Sequence, residues 1–158
     1  MRTFDILETP LGQLFIIFEG GRLISLSFTE RPRIKASRAP ERMRRELEEY
    51  FSGERTAFGI DLSLEGATEF ERSVWLGLRD IPYGETRTYK WLAEHVGRPK
   101  AARAVGQALS RNPIPVVLPC HRVIESGGSL GGYSEGESIK RRLLKMEYYH
   151  TCGAEDEK

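Results

Sequence analysis

The chain has 158 residues, 39% of them hydrophobic and 30% charged, and a formal net charge of +1, the composition of one ordinary globular domain or two small ones. No apolar run approaches the roughly 20 residues of a transmembrane helix, and Met1-Arg2-Thr3-Phe4-Asp5 opens no apolar secretory core, so no membrane partner is expected and the expected location is the cytoplasm, or the nucleus in a eukaryote. Cys120 and Cys152 make no disulfide framework, and with only His95, His121 and His150 as histidines there is no spaced zinc cluster, so neither a metal nor a cofactor is expected.

Residues 4–11, 13–19 and 22–28 are short runs rich in β-formers, separated by Pro10-Leu11-Gly12 and Gly20-Gly21. They predict a three-stranded antiparallel meander. Residues 29–39, with Pro32 and five charges, read as a loop. From Pro40 to Phe51 the apolar residues Met43, Leu47, Tyr50 and Phe51 recur at helical spacing, and Ser52-Gly53 ends the helix. Nothing before residue 65 forms a catalytic constellation.

After Gly66 the pattern turns helical. Thr68 is placed to cap a helix with Phe70, Val74, Trp75 and Leu78 on one stripe, stopped by Ile81-Pro82-Tyr83-Gly84. Thr88 caps a second helix, residues 89–96, with Tyr89, Leu92, Ala93 and Val96 on one face. Gly97 ends it, and Pro99 sits in the first turn of a third helix, residues 100–110. The last two form a helix-turn-helix pattern. The division expected is residues 1–65, residues 66–150 and an acidic tail, residues 151–158, that carries Cys152 as a thiol without a role.

Charge is distributed unevenly between these parts. Residues 1–65 carry ten bases and eleven acids, whereas residues 86–122 carry seven bases against Glu94 alone. Such a local excess suits a face that binds a polyanion. The helix offered to that partner is built from Ala101, Ala102, Arg103, Ala104, Val105, Gly106, Gln107 and Ala108. It lacks the side-chain forks that read the major groove, but it lets the backbone approach a narrow groove closely and leaves Arg103 as the one long charged side chain of its middle turn. An Ala-rich helix packed in a core has the same composition. The remaining bases, including Lys140-Arg141-Arg142, read as surface ion-pair partners.

Pro119-Cys120-His121-Arg122-Val123 places a thiol beside an imidazole and a guanidinium. Two neighbours that carry positive charge favour the thiolate, which is the nucleophilic form. The apolar run Ile114-Pro115-Val116-Val117-Leu118 before it also suits a buried, inert cysteine. The pentapeptide alone leaves both readings open.

Taken together, Ile81-Pro82-Tyr83-Gly84, Thr88-Tyr89, Lys100 to Gly106, Arg111-Asn112-Pro113, Pro119 to Val123, Gly132-Tyr133-Ser134 and Leu143-Leu144-Lys145-Met146-Glu147 resemble the O6-alkylguanine-DNA alkyltransferases, the methylated-DNA–protein-cysteine methyltransferase family. The resemblance runs through residues 68–148. It implies an α+β protein: an N-terminal ribonuclease-H-like domain with a three-stranded antiparallel sheet and a helix, then a mostly helical domain with the helix-turn-helix and the active-site cysteine. The activity implied is direct reversal of O6-alkylguanine, and of O4-alkylthymine, by irreversible transfer of the alkyl group to Cys120. The partner implied is double-stranded DNA, gripped by a monomer in the minor groove with little sequence preference.

By the same resemblance Cys120 is the nucleophile, His121 its base through a bridging water, and Glu147 the carboxylate that holds the imidazole. Arg103 replaces a flipped-out nucleotide in the stack, and Tyr89 pushes on the target phosphate and protonates the departing guanine. Asn112 pins the turn before an active-site strand. Lys100, Ala101, Ala102, Gly106 and Arg111 complete the DNA face. Val123, Tyr133, Ser134 and Pro115 wall the pocket, with the carbonyls of Cys120 and Val123 accepting from the guanine amino group. Glu135 stands where some relatives carry a small glycine, so an acid is expected at the pocket rim. Three other classes share parts of the pattern: a module that binds alkylated bases without transfer, which would lack Cys120; a helix-turn-helix redox regulator, which would need sequence readout; and a cysteine hydrolase, which would need an oxyanion hole.

Overall fold

The computed structural model describes residues 1–153; the rest of the acidic tail, and the side chain of Cys152 within it, lie outside the described residues. The chain divides into two compact units, Met1–Glu65 with Pro113–Val117, and Gly66–Asn112 with the chain from Leu118 on.

In the first unit, β1 (Thr3–Thr9), β2 (Gly12–Glu19) and β3 (Arg22–Ser27) form an antiparallel sheet in that order. Phe4 faces Ile17 and Ile6 faces Phe15 across β1 and β2. Gly20 and Gly21, at φ 58° and 81°, make the β2–β3 turn, which needs two left-handed residues to match the twist of its strands. The helix α1 (Glu41–Phe51) buries Met43, Leu47, Tyr50 and Phe51. It also buries Glu46, which accepts from Arg42 at 2.8 Å and from the Gly59 amide at 2.7 Å. The expected loop at residues 29–39 pairs once with the sheet, Phe4 with Ala36. Pro113–Val117 joins this unit, the Pro113 carbonyl accepting from Leu26 at 3.0 Å.

The second unit begins with α2 (Glu69–Gly77), whose N-terminus is closed by a reciprocal capping box between Thr68 and Glu71. Val74, Trp75, Leu78 and Ile81 are buried, and the Trp75 indole donates to the Ala108 carbonyl at 2.8 Å. A short β4 (Arg87–Thr88) leads into α3 (Tyr89–His95), capped by the Thr88 hydroxyl, which accepts from the Trp91 amide. Gly97, at φ 78°, turns the chain. The next helix, α4 (Ala102–Ser110), starts two residues later than its sequence pattern suggests. Arg98 to Ala101 close a separate turn, with the Ala101 amide donating to the Arg98 carbonyl at 2.9 Å. β5 (Val123–Ile124) pairs parallel with β4, and α5 (Glu137–Tyr148) runs on into a π-helical turn, Tyr149–Gly153. No described helix is long and apolar enough to cross a membrane.

Candidate active site

Cys120 opens a 3-10 turn, Cys120–Arg122, and only the residues after it enter β5. The expected active-site strand is therefore a tight turn at the cysteine itself. A turn gathers three consecutive side chains in one place where a strand would alternate them across two faces. Cys120, His121 and Arg122 are all buried.

Glu147, on the buried face of α5, collects the neighbours of the thiol. Its Oε2 lies 2.6 Å from His121 Nε2 and accepts from Arg122 Nη2 at 3.0 Å, while its Oε1 accepts from Arg122 Nε at 2.8 Å and from the Gly84 amide at 3.3 Å. Arg122 Nη1 donates in turn to the Ile81 carbonyl at 2.8 Å. Burial works against the Glu147 charge, but His121 and Arg122 overcome it and hold the carboxyl well below the usual carboxylate range. A carboxylate has no proton to offer, so the hydrogen in the 2.6 Å contact sits on His121 Nε2. His121 Nδ1 is buried and without a hydrogen-bond partner among the described residues. Glu147 holds Nε2 as a donor and leaves Nδ1 as the ring nitrogen that it does not engage.

Of the two readings that the pentapeptide leaves open, the resting thiol fits the buried one. Arg122 is fully engaged by Glu147 and Ile81, and burial pushes the Cys120 thiol up to about 11, against smaller opposing effects of a hydrogen bond with Asn112 and the charge of Lys140. At neutral pH Cys120 is a protonated thiol. Adjacent positive charge does not activate it at rest, because that charge is already balanced by a closer carboxylate.

Cys120 lies in the wall of a cavity of about 300 Å³ lined by Tyr89, Gly106, Leu109, Ser110, Cys120, Gly132, Tyr133 and Ser134, at the small end of the range for ligand pockets. The first residue of α3, three residues of α4 and the loop before α5 thus share the lining with Cys120. Burial raises the Tyr89 phenol, so it keeps its proton at neutral pH. A methyl group on Gly131, itself at φ 75°, would stand 2.7 Å from the Tyr89 hydroxyl. Tyr133 is half-buried with its hydroxyl inaccessible and unpartnered among the described residues, its ring edge-on to His121 at 6.5 Å. Asn112 Nδ2 donates to the Leu118 carbonyl at 2.8 Å, closing the chain two residues before the nucleophile.

Other expected site residues fall elsewhere. Pro115 is buried in the first unit and does not line the cavity, because the apolar run that contains it belongs with the first sheet. Val123 is buried behind the wall, its carbonyl already accepting from Lys140 at 2.7 Å. Glu135 is not a lining residue either, although its charge reaches Cys120 and Tyr133. Arg103 is exposed on α4, and Lys100 precedes that helix, also exposed. Arg111 pairs with Glu71 at 3.1 Å. Ala101 and Ala102, half-buried, begin α4, with Gly106 against the Tyr89 ring.

Two site residues escape the sequence reading. Arg122 balances Glu147, a role that its position beside the cysteine does not reveal. Lys140, expected on the surface with Arg141 and Arg142, is fully buried. Helical spacing carries the signal: Lys140 shares the inward face of α5 with Leu143 and Glu147.

A helix-turn-helix that lines a cavity with a buried cysteine, next to a histidine held by a buried carboxylate, has the parts of a DNA-binding protein that reacts through sulfur. The family models agree: the DNA-binding domain of 6-O-methylguanine DNA methyltransferases matches residues 69–149, and their ribonuclease-like domain matches residues 3–64. The chain belongs to the 6-O-methylguanine DNA methyltransferase family. It is 44% identical over 152 residues to a methylated-DNA–protein-cysteine methyltransferase of Methanosarcina barkeri, covering 91% of this chain and 96% of that one. With the Mycolicibacterium paratuberculosis protein of the same name the identity is 49% over 163 residues, covering 96% and 95%. Among solved structures, Mycobacterium tuberculosis OGT in complex with DNA is similar at a TM-score of 0.87 and 40% identity over 94% of both chains. A more distant likeness, 27% identity at a TM-score of 0.74 over 93% of this chain and 99% of the other, is to the O6-methylguanine-DNA methyltransferase of Pyrococcus kodakaraensis.

Proposed function

We propose that the protein repairs O6-alkylguanine in DNA by taking the alkyl group onto Cys120 once, irreversibly, with no cofactor. The observation that carries this reading is the buried His121 Nδ1, unpartnered among the described residues, on the residue next to the cavity-lining Cys120, while Glu147 engages the other ring nitrogen. Such a pair stays idle until an electrophile fills the cavity. The thiol proton then passes to His121, whose new charge Glu147 balances. The sulfur lone pair forms the S–C bond, and the C–O6 bond breaks with its electrons on the base. A proton from the Tyr89 phenol neutralises the departing guanine, and the thioether remains on the protein.

Duplex DNA supplies this electrophile only if the nucleotide leaves the stack. The small-residue face of α4 suits the minor groove with little sequence preference, and Arg103, exposed on that helix, would fill the vacated position. A single protein chain suffices, because all eight lining residues of the cavity come from one unit. The compartment implied is the one that holds the DNA, the cytoplasm of a prokaryote or the nucleus of a eukaryote.

The test is intact mass spectrometry after mixing the full chain with a short duplex containing O6-methylguanine. One added methyl per molecule, located on Cys120 and missing in Cys120→Ala, is expected. Repeated turnover, or tight binding with unchanged mass, would overturn the reading.

A further inference from the structure

Lys140 is a buried cation with no part in the mechanism above. It is fully inaccessible, and its ammonium donates to the Val123 carbonyl at 2.7 Å and the Gly132 carbonyl at 3.2 Å. Val123 follows the nucleophile by three residues, and Gly132 lines the cavity from the loop before α5. One side chain therefore ties the chain just beyond the nucleophile to that loop. Two neutral carbonyls do not balance a buried positive charge, and a lysine that needed only those two bonds could be replaced by an uncharged amide. We propose that Lys140 is a positioning residue for alkyl transfer whose charge, held behind the cavity by those carbonyls, offsets the negative charge that develops on the Cys120 sulfur. The inference rests on transfer at Cys120.

The surrounding charges agree with this arrangement. Cys120 once it ionises, and Glu125 and Glu137 throughout, favour the charged lysine against the desolvation that lowers its pKa. Around the sulfur, Lys140 and the hydrogen bond with Asn112 favour the anion, and Glu135 opposes it. Tyr89 and Tyr133, both raised by burial, stay neutral beside it. With Glu147 bonded to Arg122 and to His121, Lys140 is, among the described residues, the cation whose charge favours the thiolate, and as an ammonium it has a third donor beyond its two carbonyl bonds.

The test uses the full chain in a Cys152→Ser background with Lys140→Gln, Lys140→Met and Lys140→Arg. Two readouts are needed: the rate of Cys120 alkylation by anionic iodoacetate relative to neutral iodoacetamide, and the pH profile of single-turnover methyl transfer from an O6-methylguanine duplex. Removing the charge should lower the iodoacetate-to-iodoacetamide ratio at least threefold and move the transfer profile about one unit or more to higher pH, while Lys140→Arg keeps both near those of the parent. Lys140→Met carries the comparison if Lys140→Gln does not fold. An unchanged ratio with transfer reduced equally at every pH would show a clamp without an electrostatic role and overturn the inference. A parent that transfers no methyl, with the ratio still shifting, would instead overturn the proposed function.

Discussion

Glu147→Gln tests the core of the site with a change of almost no volume. The glutamine fills the same space on α5, but Arg122 loses a two-point carboxylate partner at 2.8 and 3.0 Å and stays buried. Breaking a buried ion pair from one side costs about 3–5 kcal/mol, because the surviving charge is left uncompensated. In a chain of this length that corresponds to a fall of about 10 °C in melting temperature. The penalty is itself pH-dependent. Because the folded state holds the Glu147 carboxyl low, its stabilisation is complete above the unfolded carboxyl pKa of about 4.3 and fades as pH falls below it, so the parent and the variant should converge in acid. Chemistry should suffer separately: an amide no longer stabilises imidazolium, and single-turnover transfer should slow by about 100-fold or more. Calorimetry and quenched-flow mass analysis would measure the two effects. In the double variant Glu147→Gln/Arg122→Met, stability should partly return, because no charge remains buried alone, while transfer stays slow. Glu147→Gln within 1 kcal/mol and threefold of the parent at pH 7 would refute the assignment of Glu147 as the residue that orients and charges His121.

Arg103→Ala, on an exposed side chain, should leave stability within about 0.5 kcal/mol but reduce repair of duplex far more than reaction with the free base; equal losses would contradict a role in flipping. Gly131→Ala places a methyl 2.7 Å from the Tyr89 hydroxyl at a positive φ, so it should cost about 1–2 kcal/mol. Because displacement of about 1 Å at a reacting group can cost 100-fold, its transfer rate should fall at least tenfold, and parental rates would place the Tyr89 phenol outside the reaction. The raised thiol predicts alkaline lability. Folding favours the neutral form of Cys120 by about two units over the 9.0 of a free thiol, so about 3 kcal/mol is present below pH 9 and lost as pH rises through 11. Urea melts at pH 8 and 10.5 should show about two thirds of that loss in the parent and its absence in Cys120→Ser.

Much of this was legible in the sequence, and the exceptions share a cause. The meander, the capped helices and the helix-turn-helix follow from signals that act over a few residues: Gly20-Gly21, the Thr68 and Glu71 capping box, and Thr88 before Tyr89. The pairing of His121 with Glu147 spans 26 positions and was reached by resemblance, because no local pattern brings α5 against the turn. What stayed hidden was how charge is balanced inside. Arg122 sits beside the cysteine in sequence yet is committed to Glu147, and Lys140 sits among surface arginines in sequence yet lies in the core. Pro115 was misplaced for a similar reason: an apolar run states that it is buried without stating against what.

The resting state of Cys120 bears on how long the protein remains useful. A reagent that is consumed in one event is worthless if cellular oxidants or stray electrophiles reach it first, and both attack thiolates. A cysteine that is 5% exposed and whose thiol is pushed up to about 11 presents almost none of that form to its surroundings. Its neighbours withhold reactivity until a base occupies the cavity, so the same burial that slows the bare thiol preserves it for the lesion.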